Sequence, residues 1–293
     1  MVKKVLSYIY IYLILLVCYL PILYLIVYSF TGATILGQWS GFTFKLYGDL
    51  FNNKEILTAL GNTLILASIS SLVSTVIGSL GAIGVYYMKK KPRRIIESIN
   101  QIPVVNAEIV MAMSLTVMFV FLTQYFFKGK SIFSFYTLLI GHCVLAIPFV
   151  YLNVKPKLTQ MDPALYEAAL DLGTTPTKAI HKVIIPQIIP GILSGFVLSF
   201  TLSLDDFIVT AFTRGPGLLS GQSQIETLST LVQAKIKKGA VPPELRPLTT
   251  IIFLVVLSVV LTRSIYVMCK AKNSKKLPNS HKKRRISLNE TKN

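Results

Sequence analysis

With 53% hydrophobic and 14% charged residues over 293 positions, and a mean hydropathy of +0.61, this chain falls outside the ordinary soluble class and reads as an all-α integral membrane protein. Thirty Lys and Arg stand against twelve Asp and Glu, a formal net charge of +18. Much of that excess lies in membrane-flanking segments and in the C-terminal tail, so it is poor ground for nucleic-acid binding.

Six intervals carry no Asp, Glu, Lys or Arg: residues 5–44, 56–88, 109–127, 131–154, 183–204 and 247–262. A spanning helix needs about 20 mostly apolar residues, so these intervals predict six transmembrane helices. The first follows Lys3 and Lys4 but is too long for a secretory signal core, and no small-x-small cleavage site follows it, so a retained helix is expected. Its tyrosines, among them Tyr8, Tyr12, Tyr19 and Tyr28, suit interface anchoring and helix packing. The sixth interval is short, but Arg263 can reach the interface along its aliphatic stem, which lets residues 248–268 cross. With the N-terminus inside, the inner segments hold 21 of the 30 basic residues, including the run from Lys89 to Arg94. Both termini are therefore expected in the cytoplasm of a multi-pass cell-membrane protein. Residues 1–268 form one six-helix domain. The tail 269–293, with Lys282-Lys283-Arg284-Arg285, is expected to be disordered, either touching anionic membrane lipid or simply enforcing topology. Cys18, Cys143 and Cys269 have no ligand or disulfide spacing.

The inner loop 155–187 is expected to hold two short helices. Asp162 N-caps the first, Pro163 takes its first position and Gly173 supplies a left-handed stop. Leu165, Ala168, Ala169 and Leu172 then share one face, with two alanines where a partner backbone can approach. Thr175 and Pro176 start the second helix, and Pro186 is expected to end it. On spacing alone, an ordinary re-entrant loop with a helical turn would also serve.

Three acids fall at membrane depth, where carboxylates usually face protein or water. Asp205 and Asp206 are expected in the outer part of the fifth helix, and Glu108 toward the inner part of the third. On one continuous helix Ser199, Ser203, Asp206 and Thr210 form a polar stripe, whereas Asp205 aligns mainly with apolar residues, so Asp206 is the better pore candidate. Two readings are open: a path for a cation such as an amine, or helix capping and subunit pairing.

The chain lacks an engine of its own. Gly129-Lys130-Ser131 would need a glycine at position 124, which is Gln124, to form a phosphate-binding loop. His142, His181 and His281 are far apart and build no metal or catalytic set. Catalysis and metal binding are therefore not expected of this chain.

The run Glu167-Ala168-Ala169, then Gly173, then Val183-Ile184-Ile185-Pro186, resembles the cytoplasmic loop of ABC transporter permeases. The stretch Ser199 to Phe207, Gly215-Pro216-Gly217, Pro243-Glu244, Trp39 to Thr43, and His142 with Ile147-Pro148-Phe149 are similar to the C-subunit permease of spermidine/putrescine importers. That resemblance implies the type I ABC importer permease architecture. It also implies partners: ATPase subunits that hold ATP and Mg and dock on Leu165, Glu167, Ala168, Ala169, Leu172 and Gly173, a second homologous permease, and an extracytoplasmic substrate-binding protein. The resemblance puts Glu108, Asp205 and Asp206 along the substrate path, to which the polar stripe adds Ser199 and Ser203. Permeases for iron, thiamine or other solutes have similar outer loops and are the alternative. An ATP-independent secondary transporter would have no use for the docking loop.

Overall fold

The computed structural model describes residues 2–33, 37–214, 225–239 and 242–274, and the side chains of 2–5, 259–260 and 263–274 are left aside. The described residues are helical apart from turns, loops and one isolated bridge between Thr31 and Phe42. The helices are α1 (Val2–Tyr28), α2 (Lys45–Asn52), α3 (Lys54–Tyr86), α4 (Lys90–Val105), α5 (Glu108–Tyr125), α6 (Phe135–Gln160), α7 (Ala164–Asp171), α8 (Pro176–Ala179), α9 (Ile185–Asp205), α10 (Ile208–Thr213), α11 (Leu228–Lys237) and α12 (Leu245–Ser274). Five stretches among the described residues are long and apolar enough to cross a membrane: Leu6–Tyr28, Lys54–Tyr86, Glu108–Tyr125, Phe135–Gln160 and Pro176–Asp205. Leu245–Ser258 is a shorter apolar stretch within α12, whose backbone stays helical to Ser274, past the expected start of the tail.

The chain divides into two compact units. The first joins residues 1–52 with 242–293. In it α12 packs on α1 and α2. Phe30 stacks on Phe42 at 5.3 Å and meets Phe44 and Tyr47 edge-on or tilted at 5.6 and 5.4 Å, while Arg246 Nη1 donates to the Ala33 carbonyl at 2.8 Å.

The second unit, residues 53–241, is built on α3, α6 and α9. Asn53 caps α3 by accepting from the Ile56 N–H at 3.2 Å, and a Ser134/Thr137 capping box starts α6. The buried face of α3 is small and hydroxylic (Ala67, Ser70, Ser71, Ser74, Gly78, Ala82), the composition that lets helices approach closely in lipid. Val150 of α6 sits at the crossing. A Cβ on Gly78 would lie 2.8 Å from Val150 Cβ, and one on Gly195 of α9 would lie 3.1 Å from Val150 Cγ1.

Two expectations about the fifth span are corrected. Pro186 does not end the second loop helix; α8 runs through a π-helical turn, Ile180–Ile184, into α9, so a helical stretch continues from Pro176 to Asp205. The Ile185 N–H reaches back to the Ile180 carbonyl, five residues away, and that widened turn places Pro186 in the opening turn of α9, where its missing N–H is tolerated. The helix also stops at Asp205: Asp206 has ψ 123 and α10 starts afresh at Ile208, so Ser199 to Thr210 is not one continuous stripe. The helix α4 lay outside the six expected spans. Gly215-Pro216-Gly217 and residues 275–293 lie outside the described residues.

Two glycines of α3 make a direct test of the packing. Gly78→Ala is expected to destabilise the purified protein by about 1–3 kcal/mol through overpacking. Gly81→Ala, with nothing within 4 Å of its added Cβ, is expected to be neutral or slightly stabilising, as read by thermal melting in lipid nanodiscs.

Candidate functional site

The break between α9 and α10 is surrounded by a buried polar cluster. Ser70 Oγ on α3 donates to Ser203 Oγ at 2.9 Å, and Ser203 Oγ lies 2.8 Å from His142 Nδ1 on α6. On its other edge, His142 Nε2 lies 2.9 Å from Thr210 Oγ1, which donates to Asp206 Oδ2 at 2.8 Å. The Val209 and Thr210 N–H groups donate to Asp206 Oδ1 and Oδ2 at 3.2 and 2.8 Å, so the Asp206 side chain caps α10. Ser229 Oγ donates to the Asp206 carbonyl at 2.6 Å. His142 and Asp206 are 1% and 5% exposed, so these polar groups find their partners in the protein.

Glu108 opens α5 directly after the extended Asn106 and Ala107, and its carboxyl stands beside that of Asp206, within electrostatic reach of Asp205. The separation in depth expected between Glu108 and the two aspartates is thus corrected: α5 begins level with the α9/α10 break because α4 occupies the residues before it. Thr116 Oγ1 donates to the Phe212 carbonyl at 2.9 Å and holds α5 against α10. Asp205 is exposed and Asp206 buried, while Ser199 is fully buried with no hydrogen-bond partner for its hydroxyl among the described residues. His142, which joins Ser203 to Thr210, was not among the expected site residues. Its signal in the sequence is a lone imidazole inside a charge-free span.

Beyond the C-terminal end of α6, Asp162 Oδ1 accepts from the Ala164 N–H at 3.0 Å and starts α7. The Gly173 N–H bonds to the Leu170 carbonyl (2.9 Å) and the Thr174 N–H to the Ala169 carbonyl (3.1 Å), a Schellman stop that needs the positive φ of +80° at Gly173. Tyr166 turns inward and meets the Tyr87 ring at 5.1 Å. Leu165, Glu167, Ala168 and Leu172 are exposed and Ala169 is half-buried, so most of the expected face is left open. Leu172 is 87% exposed and is the more open of the two leucines on that apolar face.

Between these two regions, Glu97 of α4 accepts from Arg93 Nε at 2.9 Å and Lys155 Nζ at 3.0 Å, with Tyr151 Oη at 3.4 Å. This ties α4 to α6. Burial alone would raise the Glu97 carboxyl, but the hydrogen bonds and charges of Arg93 and Lys155 outweigh it and hold it below its ordinary value.

Known proteins show which family and fold this chain shares. Residues 74–272 match the family described as "Binding-protein-dependent transport system inner membrane component". The chain is 34% identical over 256 residues to the spermidine/putrescine transport system permease protein PotC of Escherichia coli K12, covering 87% of this chain and 91% of that one. It is 28% identical over 235 residues to the putrescine transport system permease protein PotI of the same organism, covering 80% of each. The fold matches a crystal structure of a bacterial ABC transporter involved in the import of the acidic polysaccharide alginate, with a TM-score of 0.64 at 18% identity over 92% of this chain and 97% of the other. This chain belongs to the family of inner-membrane components of binding-protein-dependent transport systems. It is a multi-pass membrane permease subunit, not an enzyme.

The sign of the Glu97 effect gives a prediction. A carboxyl held low in the folded state contributes stability above its ordinary pKa of about 4.3 and loses it as pH falls through the folded value. The protection factors of the α4 amides, taken relative to intrinsic exchange at each pH, are therefore expected to fall on acidification below about pH 4.5 in the parent chain, and to start lower and lack that step in Glu97→Gln, an effect of up to about 1 kcal/mol for so accessible a pair.

Proposed function

We propose that this permease works in an ATP-driven importer of polyamines such as spermidine or putrescine, spanning the membrane six times with both termini cytoplasmic. The observation that carries the coupling is the open Leu165, Ala168 and Leu172 face of α7, a helix anchored from its opposite side by Tyr166. An ATPase subunit docks there, with ATP and Mg bound in that partner, and Glu167 gives the interface a charged contact. A second homologous permease completes the path, and an extracytoplasmic binding protein delivers the cargo. The cargo assignment draws on likeness to the PotC and PotI permeases together with the meeting of Glu108, Asp205 and Asp206, whose carboxyls suit a cationic amine. Ser199 and Ser203 are buried behind these acids, and Ser203 acts through its bonds to Ser70 and His142. Closure of the ATPase pair moves α7 as a rigid body, and the helical stretch from Pro176 to Asp205 carries that movement to the acids.

Labelled spermidine uptake by the reconstituted complex tests both halves. Uptake is expected to need ATP, to fall about tenfold or more in Glu108→Gln with the complex still assembled, and to vanish in Ala168→Asp because the ATPase is shed. If no polyamine enters but Ala168→Asp still releases the ATPase, the cargo is another solute. Uptake without any ATPase would make the chain a secondary transporter.

A further inference from the structure

The α9/α10 break is bridged by one ring. His142 lies on α6, yet one of its nitrogens bonds to Ser203, in the last turn of α9, and the other to Thr210, in the first turn of α10. Gly141, its neighbour, lets α10 come close: a Cβ there would lie 2.8 Å from Val209 Cγ1. The hydroxyl protons set the direction of the chain. Thr210 donates to Asp206 Oδ2, so its oxygen accepts from His142, and Nε2 carries the proton. Nδ1 is then an acceptor for the Ser203 hydroxyl, and Ser203 in turn accepts from Ser70. Every donor runs one way, from Ser70 to the carboxylate.

We infer that His142 is a positioning residue, a neutral ring protonated on Nε2 that fixes both sides of the α9/α10 break and, through Thr210, holds the Asp206 carboxylate beside Glu108. The ring need not touch the cargo. Two roles follow from its two bonds. Through Ser203 it registers the end of the long helix that rises from the inner loop, and through Thr210 it fixes the orientation of the one acid that also caps α10. A displacement of α9 therefore reaches Asp206 by way of the imidazole as well as through the backbone. Asp205, exposed and outside this chain of bonds, has no such constraint.

Nitrogen-15 NMR of the assembled, unmutated complex, with the His142 ring assigned by comparison with His142→Phe or His142→Gln, tests the tautomer directly and without reference to the cargo. A neutral ring protonated at Nε2 alone is expected. Protonation at Nδ1 alone, or at both nitrogens, overturns the inference. The uptake arm rests on the polyamine reading above. His142→Phe and Asp206→Asn are each expected to raise the KM for spermidine by about tenfold, the double variant no further than the worse single one, because both act on one carboxylate. His142→Gln, whose carbonyl can accept from Ser203 and whose amide can donate to Thr210, is expected to stay within about threefold of the parent. Multiplying effects in the double variant, or a Gln variant as impaired as Phe, overturn the positioning role. Should the complex carry no spermidine, the cargo reading fails and the ring's tautomer still decides this one.

Discussion

Val150, seated between Gly78 and Gly195, sets how closely α3, α6 and α9 approach, and the polar interior depends on that spacing. With a side chain at either glycine the helices would stand further apart by a fraction of an ångström to more. Ser70, Ser203 and His142, each about two turns away along the same three helices, would then lose bonds of 2.8–2.9 Å. In lipid there is no water to make good such a loss, so a hydroxyl separated from its partner is costly. The apolar contact and the polar cluster are one packing problem. The small residues of α3 solve both, because they bring backbones together and supply hydroxyls that also bond their own helix, as Thr63 Oγ1 does to the Ala59 carbonyl at 2.8 Å.

Two interruptions in the fifth span give that core its mechanical character. At the N-terminal end the π-turn keeps the helix continuous past Pro186, so one helical stretch leads from just after α7 to Asp205. At the other end the stretch stops, and side chains meet several of the groups around the stop: Asp206 caps α10 and Ser229 donates to the Asp206 carbonyl. A stiff stretch that ends at a capped break suits a part that must move as a unit. The break also places the acids, because a helix that stops at Asp205 turns the next residue inward while leaving Asp205 itself open. The C-terminal half of α6 has its own tie, Glu97 of α4 to Arg93 and Lys155, on the side of the loop that carries α7.

The sequence by itself determined what local rules and composition can decide. Apolar runs gave five long spans and the core of a sixth helix. Asp162, Pro163 and Gly173 gave α7 its bounds to within a residue, because caps and a left-handed stop act over three or four positions. The amphipathic spacing of Leu165, Ala168 and Leu172 told which face of α7 stays open. Only the tertiary structure decided the rest. Pro186 reads as a stop until the π-turn gives it a place, and nothing local marks Asp206 as a break, since its neighbours keep helical apolar spacing. That break is held by His142 from another helix and by Ser229 from a distant segment. Glu108 was placed at a different depth because a count of apolar residues cannot see that α4 intervenes and starts α5 beside the break. The physical reason is the same in each case: a hydrogen bond between helices is invisible to a periodicity, and in a membrane such bonds decide where a helix is allowed to end.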